Sequence, residues 1–168
     1  VANGGGSTRR LAEAGIVAAA YAAFTIALAP ISYGPIQFRI PEVLKSLVIW
    51  RPHLIAAFVV GNFASNLFSP NVGPWELGFM PAVNLVGATL CSMLGKRVPW
   101  AGAGAYALIV ATGVAVMLSA LLNVPFSVLF PPLLVSEAIL IIGGLPLMRR
   151  IHEAVGQRRR PGTERAQP

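Results

Sequence analysis

One cysteine, two histidines and six acidic residues are all that this 168-residue chain offers the usual chemistry of catalysis and metal binding. A lone thiol, Cys91, excludes an intrachain disulfide and any cysteine-based metal cluster, and it reads as a small apolar residue within a span. His53 lies at the border of an apolar block and His152 in a basic tail, so neither is placed to serve a buried nucleophile. There is no H-E-x-x-H and no G-x-S-x-G. Gly95-Lys96 lacks both the upstream glycine and the following Ser/Thr of a phosphate-binding loop. The chain is therefore read as no enzyme, with no metal and no cofactor. If it moves a solute uphill, ATP hydrolysis must come from another chain.

Charge is scarce too. Only 11% of residues are charged, against about a quarter in soluble domains, while 55% are hydrophobic. The apolar residues come as long blocks rather than stripes, which is the pattern of membrane spans. The formal charge of +7 does not point to nucleic acid. Its basic residues cluster at block ends (Arg9, Arg10, Arg51, Lys96, Arg97, Arg149, Arg150) and in the tail Arg158–Arg160, without aromatic interleaving.

These features predict an all-α integral membrane protein, a compact bundle of about six transmembrane helices with both termini cytoplasmic. Residues 1–9 are Gly-rich and read as a flexible tail, 10–148 as the membrane domain, and 149–168 as a basic, disordered cytoplasmic tail. The first span runs from about Arg10 to Ala29. Its basic start and Ala27-Leu28-Ala29 end have the look of a secretory signal, but Pro30 would follow the cut directly, which argues for a retained span. The second, Glu42–Trp50, is too short for an α-helix to cross about 30 Å of hydrocarbon, and Lys45 could snorkel from it to the interface. The others are about Pro52–Phe68, Trp75–Leu94, Trp100–Leu122 and Val128–Leu147. With this topology the loops rich in Pro, Gly and Asn, at 30–41, 69–74 and 123–127, face outward and roof a pocket.

Two rows of small residues mark the first span: Ala14, Ala18 and Ala22, and beside them Gly15, Ala19, Ala23 and Ala27. Such rows let another helix approach closely, either inside the bundle or on a partner protein. Ionisable groups within spans are costly, about 2.5–3.5 kcal/mol on insertion scales, and so tend to face a partner, a cavity or a substrate. The candidates are Arg39, Glu42, Glu76 and Glu137, with the amides Gln37, Asn62, Asn66 and Asn84. Glu42 can equally be a first-turn acid paired with Arg39, Asn62 and Asn66 can be helix–helix links, and Glu76 borders the interface. Glu137, in mid-span, is the hardest to explain structurally.

The motif Pro30-Ile31-Ser32-Tyr33-Gly34-Pro35-Ile36-Gln37-Phe38-Arg39-Ile40-x-Glu42 resembles the signature of the queuosine-precursor (QueT-type) transporter family. Gly61-Asn62-Phe63-x-x-Asn66-Leu67-Phe68-Ser69-Pro70, Ser136-Glu137-Ala138 and Gly144-Leu145-Pro146-Leu147 resemble its later blocks, in the right order. The resemblance implies the substrate-binding (S) component of an energy-coupling-factor importer in a prokaryotic cell membrane. It would capture a deazaguanine-type queuosine precursor and dock on a transmembrane coupling subunit driven by two ATPases. The alanine row Ala14, Ala18 and Ala22 would be the partner surface. The substrate would meet Gln37, Arg39, Glu42, Asn62, Asn66, Asn84 and Glu137, with Tyr33, Phe38 and Trp75 stacking on its ring. Glu137 or Glu42 would accept the donor edge of a guanine-like ring. The competing readings are an S component or stand-alone carrier for another vitamin-like molecule, and a non-transporting scaffold subunit.

Overall fold

The computed structural model describes residues 4–34 and 36–157, and among them there is no strand. Helix α1 spans Gly4–Ala27 and is followed by a single turn, α2, at Ala29–Ser32. After the loop comes a ten-residue 3₁₀ helix, Ile40–Ile49. A short 3₁₀ turn, Pro52–Leu54, leads into α3, Ile55–Asn66. A π-helical turn at Trp75–Phe79 opens α4, Met80–Gly95. Helix α5 runs Pro99–Leu122, with Pro99 at its first turn and Asn123 ending it in the left-handed conformation, φ 55°. Helix α6, Phe126–Glu137, passes through a second π turn, Ala138–Ile142, before α7, Leu145–Gln157.

Among the described residues, four stretches are long and apolar enough to cross a membrane: Gly6–Ala27, Trp75–Gly95, Pro99–Leu122 and Phe126–Gly156. The 3₁₀ helix and α3 are shorter. The outside of the bundle is apolar, with Leu11, Ile16, Phe24, Val60, Leu85, Met93, Val128 and Ile139 all exposed. An apolar surface this widespread suits lipid rather than water.

Two boundaries move. Helix α1 begins at Gly4, inside the stretch expected as a flexible tail, because an established helix extends by one hydrogen bond per added residue. Residues 149–157, expected as part of the disordered tail, continue α7, where Arg149 and Glu153 pair one turn apart at 2.9 Å. Residues 1–3 and 158–168 of the two tails lie outside the described residues.

Helix packing relies on small residues, as expected where lipid removes the hydrophobic drive between helices. At Gly61 of α3 a Cβ would stand 2.9 Å from the Ala18 carbonyl oxygen of α1. At Gly102 of α5 it would stand 2.6 Å from the Cys91 carbonyl of α4. Contact with α3 settles which face of α1 looks inward. Ala18 is buried and Ala14 packs against the core, so the row Ala14, Ala18 and Ala22, expected as a partner surface, lies on the α3 side of α1, with Ala22 half-buried. Gly15, Ala19, Ala23 and Ala27 are the exposed row.

The 3₁₀ helix, shortest of the expected spans, sits at the middle of the bundle, against α1, α4, α5, the 138–142 turn and α7. A 3₁₀ helix rises about 2.0 Å per residue, so ten residues cover roughly 20 Å where an α-helix would cover roughly 15 Å. Its side chains at i and i+3 eclipse one another. That stacks Glu42 directly over Lys45.

Candidate functional site

Arg39 gathers one half of the buried polar core. It is 3% exposed, and its guanidinium donates from Nε to the Ser32 carbonyl at 3.3 Å, from Nη1 to Asn66 Oδ1 at 3.2 Å and from Nη2 to Gln37 Oε1 at 3.1 Å. It also lies over the Tyr33 ring, 5.3 Å from the centroid, while the Tyr33 hydroxyl donates to the Ser65 carbonyl. Gln37 holds a left-handed backbone, φ 47°. For a side chain with a Cβ this conformation costs on the order of 1–2 kcal/mol, a strain that is concentrated at ligand sites.

Asn66 ties this cluster to the next element. Its Nδ2 donates to the Glu76 carbonyl at 2.9 Å and, more weakly, to Asn62 Oδ1 at 3.4 Å. The π turn explains the first bond. Met80 N–H is taken by the Trp75 carbonyl, and the i+5 partner of the Glu76 carbonyl is Pro81, which has no N–H. Asn66 satisfies that orphaned acceptor. The Glu76 side chain meanwhile has no exposed surface, and neither carboxylate oxygen has a hydrogen-bond partner.

The second half surrounds Glu42. Tyr21 donates its hydroxyl to Glu42 Oε1 at 2.5 Å, and the other oxygen pairs with Lys45 Nζ. Lys45 is completely buried between two tyrosine rings, 4.9 Å from the centroid of Tyr106 and 5.9 Å from that of Tyr21. It is therefore an internal cation rather than a snorkelling one, and Lys45, not Arg39, is the partner of Glu42. Tyr106 donates to Asn84 Oδ1 at 3.3 Å, and Asn84 Nδ2 donates to the Met80 carbonyl at 3.0 Å. Glu137 directly precedes the second π turn, as Glu76 lies within the first; it shares a hydrogen bond with Glu42 and is within electrostatic reach of Lys45 and Arg39. Its Oε2 is buried without a hydrogen-bond partner.

The fold thus brings Tyr33, Gln37, Arg39, Asn62 and Asn66 into one cluster and Glu42, Asn84 and Glu137 into another, joined where Glu42 N–H bonds the Arg39 carbonyl at 2.8 Å. Two expected residues stand apart. Trp75 packs edge-on against Phe79, with centroids 5.1 Å apart, and Phe38 lines a shallow apolar groove with Pro131, Pro132 and Ile139. Neither forms a ring contact with the polar core among the described residues. Tyr21, Lys45 and Tyr106 are not among the candidates that the sequence offers, and Glu76, a candidate that could equally border the interface, is fully buried. The three-residue spacing of Glu42 and Lys45 was the one available signal.

The arrangement is a set of fixed donors and acceptors around buried carboxylates with spare capacity. Its chemistry suits donors and acceptors of a small polar molecule rather than a metal, since among the described residues no group of three or more His, Cys, Asp or Glu could hold a metal ion. No curated protein and no solved structure matches the chain. A family model described as QueT transporter matches residues 11–153, the span that contains every element of this core. The chain belongs to the QueT transporter family.

Proposed function

We propose that the chain is the substrate-capturing S subunit of an energy-coupling-factor importer, and that it binds a deazaguanine precursor of queuosine in the buried core between Arg39 and Glu137. One observation carries the reading: Glu76 is buried with both carboxylate oxygens unpartnered, and Glu137 is buried with its Oε2 unpartnered. Leaving such groups unpaired in a low-dielectric interior is expensive, so a ligand that donates to them is held strongly. A guanine-like ring presents a ring N–H beside an exocyclic amine, which one carboxylate accepts together. Its carbonyl can accept from the Asn62 Nδ2, also unpartnered, or from Arg39. Glu42 is already engaged by Tyr21 and Lys45, which leaves Glu76 and Glu137 as the readers of the ligand.

Among the described residues the buried charged side chains are Arg39 and Lys45 with Glu42, Glu76 and Glu137, and Glu137 shares a hydrogen bond with Glu42. A precursor with an ammonium arm, such as an aminomethyl-deazaguanine, can set that arm against the Glu76 carboxylate, which no protein group hydrogen-bonds, and a cyano-deazaguanine cannot. The supporting topology has six passes, the 3₁₀ helix and α3 completing the four long spans. Arg51 joins Glu13 and His152, and Gly95 packs on Ile49, so the basic residues of α1, the 50–53 turn, the 95–98 turn and α7 converge at one end. The positive-inside rule makes that end cytoplasmic and the Pro30–Glu42 loop external. Docking to the coupling subunit would use the exposed row Gly15, Ala19, Ala23 and Ala27.

Calorimetric titration of the purified protein with both deazaguanines tests the reading. The aminomethyl compound is expected to bind more tightly. Glu76→Gln and Glu137→Gln should each weaken it by about 10- to 100-fold, the range for hydrogen bonds to a charged group. Unchanged affinity in both variants would overturn the assignment.

A further inference from the structure

At the opposite end of the bundle from the Arg39 cluster, a cavity of about 530 Å³ is lined by Arg9, Arg10, Arg51, His53 and His152, with Trp50 in its wall. Arg51 is committed. It pairs with Glu13 and donates from Nε to His152 Nδ1 at 3.3 Å, while His152 stacks on Trp50 with centroids 5.6 Å apart. Glu13, also facing His53 Nε2 at 3.2 Å, is the one carboxylate in the lining. Arg9 and Arg10 are exposed, and neither forms an ion pair among the described residues. The cavity is therefore strongly biased toward an anion.

A second, almost wholly apolar groove of about 360 Å³ shares Arg9, Glu13 and Arg51 with it and continues over Ala12, Ile16, Val17 and Val155. Positions 9, 12, 13, 16 and 17 lie on one face of α1, so the two spaces form a single strip running from charged to apolar toward the middle of the span. A free anion would use only the basic half. A molecule with a charged head and a hydrocarbon tail would use both.

We infer that this strip is a binding site for one anionic phospholipid, its phosphate held by Arg9 and Arg10 and its acyl chain lying along Ile16 and Val17. A basic pocket between helices at a bilayer surface suits such a headgroup, and Trp50 is of the type that anchors at that level. The inference rests on the membrane location of the bundle and is independent of the solute bound in its core.

The full chain, reconstituted in vesicles of equal parts phosphatidylglycerol and phosphatidylcholine and then extracted, would be examined by native mass spectrometry for retained lipid. One phosphatidylglycerol per chain is expected, in at least about tenfold preference over phosphatidylcholine, and the loss should be roughly fivefold for each arginine removed in Arg9→Gln and Arg10→Gln. Both arginines are exposed, so the variants should fold normally. Ile16→Trp, which fills the groove, should lower retention with both arginines intact. Equal retention of the two lipids, or wild-type retention in the double arginine variant, would overturn the proposal. Displacement by millimolar inorganic phosphate with no effect of Ile16→Trp would replace the lipid with a free anion.

Discussion

Lys45 has no exposed surface, so removing its counter-charge leaves a cation stranded between two tyrosine rings. Breaking a buried ion pair from one side costs about 3–5 kcal/mol, whereas replacing both partners with neutral groups of similar volume is often nearly neutral. Glu42→Gln, which keeps an acceptor for Tyr21, should therefore destabilise the protein. The loss should fall toward the lower end of that range, because Glu137 is within reach of Lys45. Adding Lys45→Met should restore most of it. Unfolding of the single and double variants in detergent measures both effects, and a Glu42→Gln protein as stable as the wild type would remove the pair from the account. Glu76 has a different character, since no protein group hydrogen-bonds its carboxylate oxygens and Arg39 meets it only through longer-range attraction. Its neutralisation should cost ligand affinity rather than stability. From the sequence Glu42 and Glu76 looked alike, both acids near the start of a span. Burial and partners, which depend on contacts distant in sequence, separate them.

Among the elements, the four long spans were legible because length and apolarity alone identify them, and the structure has the middle two within a residue of the expected limits while the first begins earlier and the last runs on to Gly156. The central 3₁₀ helix was not legible as a 3₁₀ helix. The stretch Glu42–Trp50 reads as an undersized helix, because the sequence carries no sign that the chain is stretched there, and the observed 3₁₀ helix is Ile40–Ile49. The two π turns were hidden for a similar reason, although Pro81 does explain the first once its hydrogen bonds are seen. The small-residue rows of α1 were visible, but two adjacent rows lie only about 100° apart on a helix, and periodicity cannot say which one faces in. Gly61 decides it. A side chain there would push into the α1 backbone at Ala18, so Gly61→Val should separate α1 from α3. The cost should be on the order of 1–3 kcal/mol, the usual penalty of overpacking. Gly15→Ala, where a Cβ meets nothing within 4 Å, should leave stability unchanged or slightly raised. Thermal unfolding of the two variants side by side provides the check, and equal melting would mean that the α1–α3 contact is looser than described.

For the whole molecule, the proposed docking row of α1 would separate capture of the solute from its delivery. Gly15, Ala19, Ala23 and Ala27 present a smooth strip on the outside of the bundle, beside the row Ala14, Ala18 and Ala22 on the α3 side and making no part of the polar core. If the chain docks through this strip on a coupling subunit, bulky substitutions there must block association by keeping the helices apart. Ala19→Leu combined with Ala23→Leu should leave the melting temperature and the affinity for a deazaguanine unchanged. The same change should abolish co-purification with an energy-coupling module and with it uptake into cells. Ala18→Leu should behave in the reverse way, weakening the fold by wedging α1 from α3 before any partner is involved. The comparison tests the surface independently of the substrate. Loss of uptake with ligand binding intact points to docking, whereas loss of both points to the core. Retained uptake in the Ala19→Leu/Ala23→Leu protein would show that the partner approaches another face.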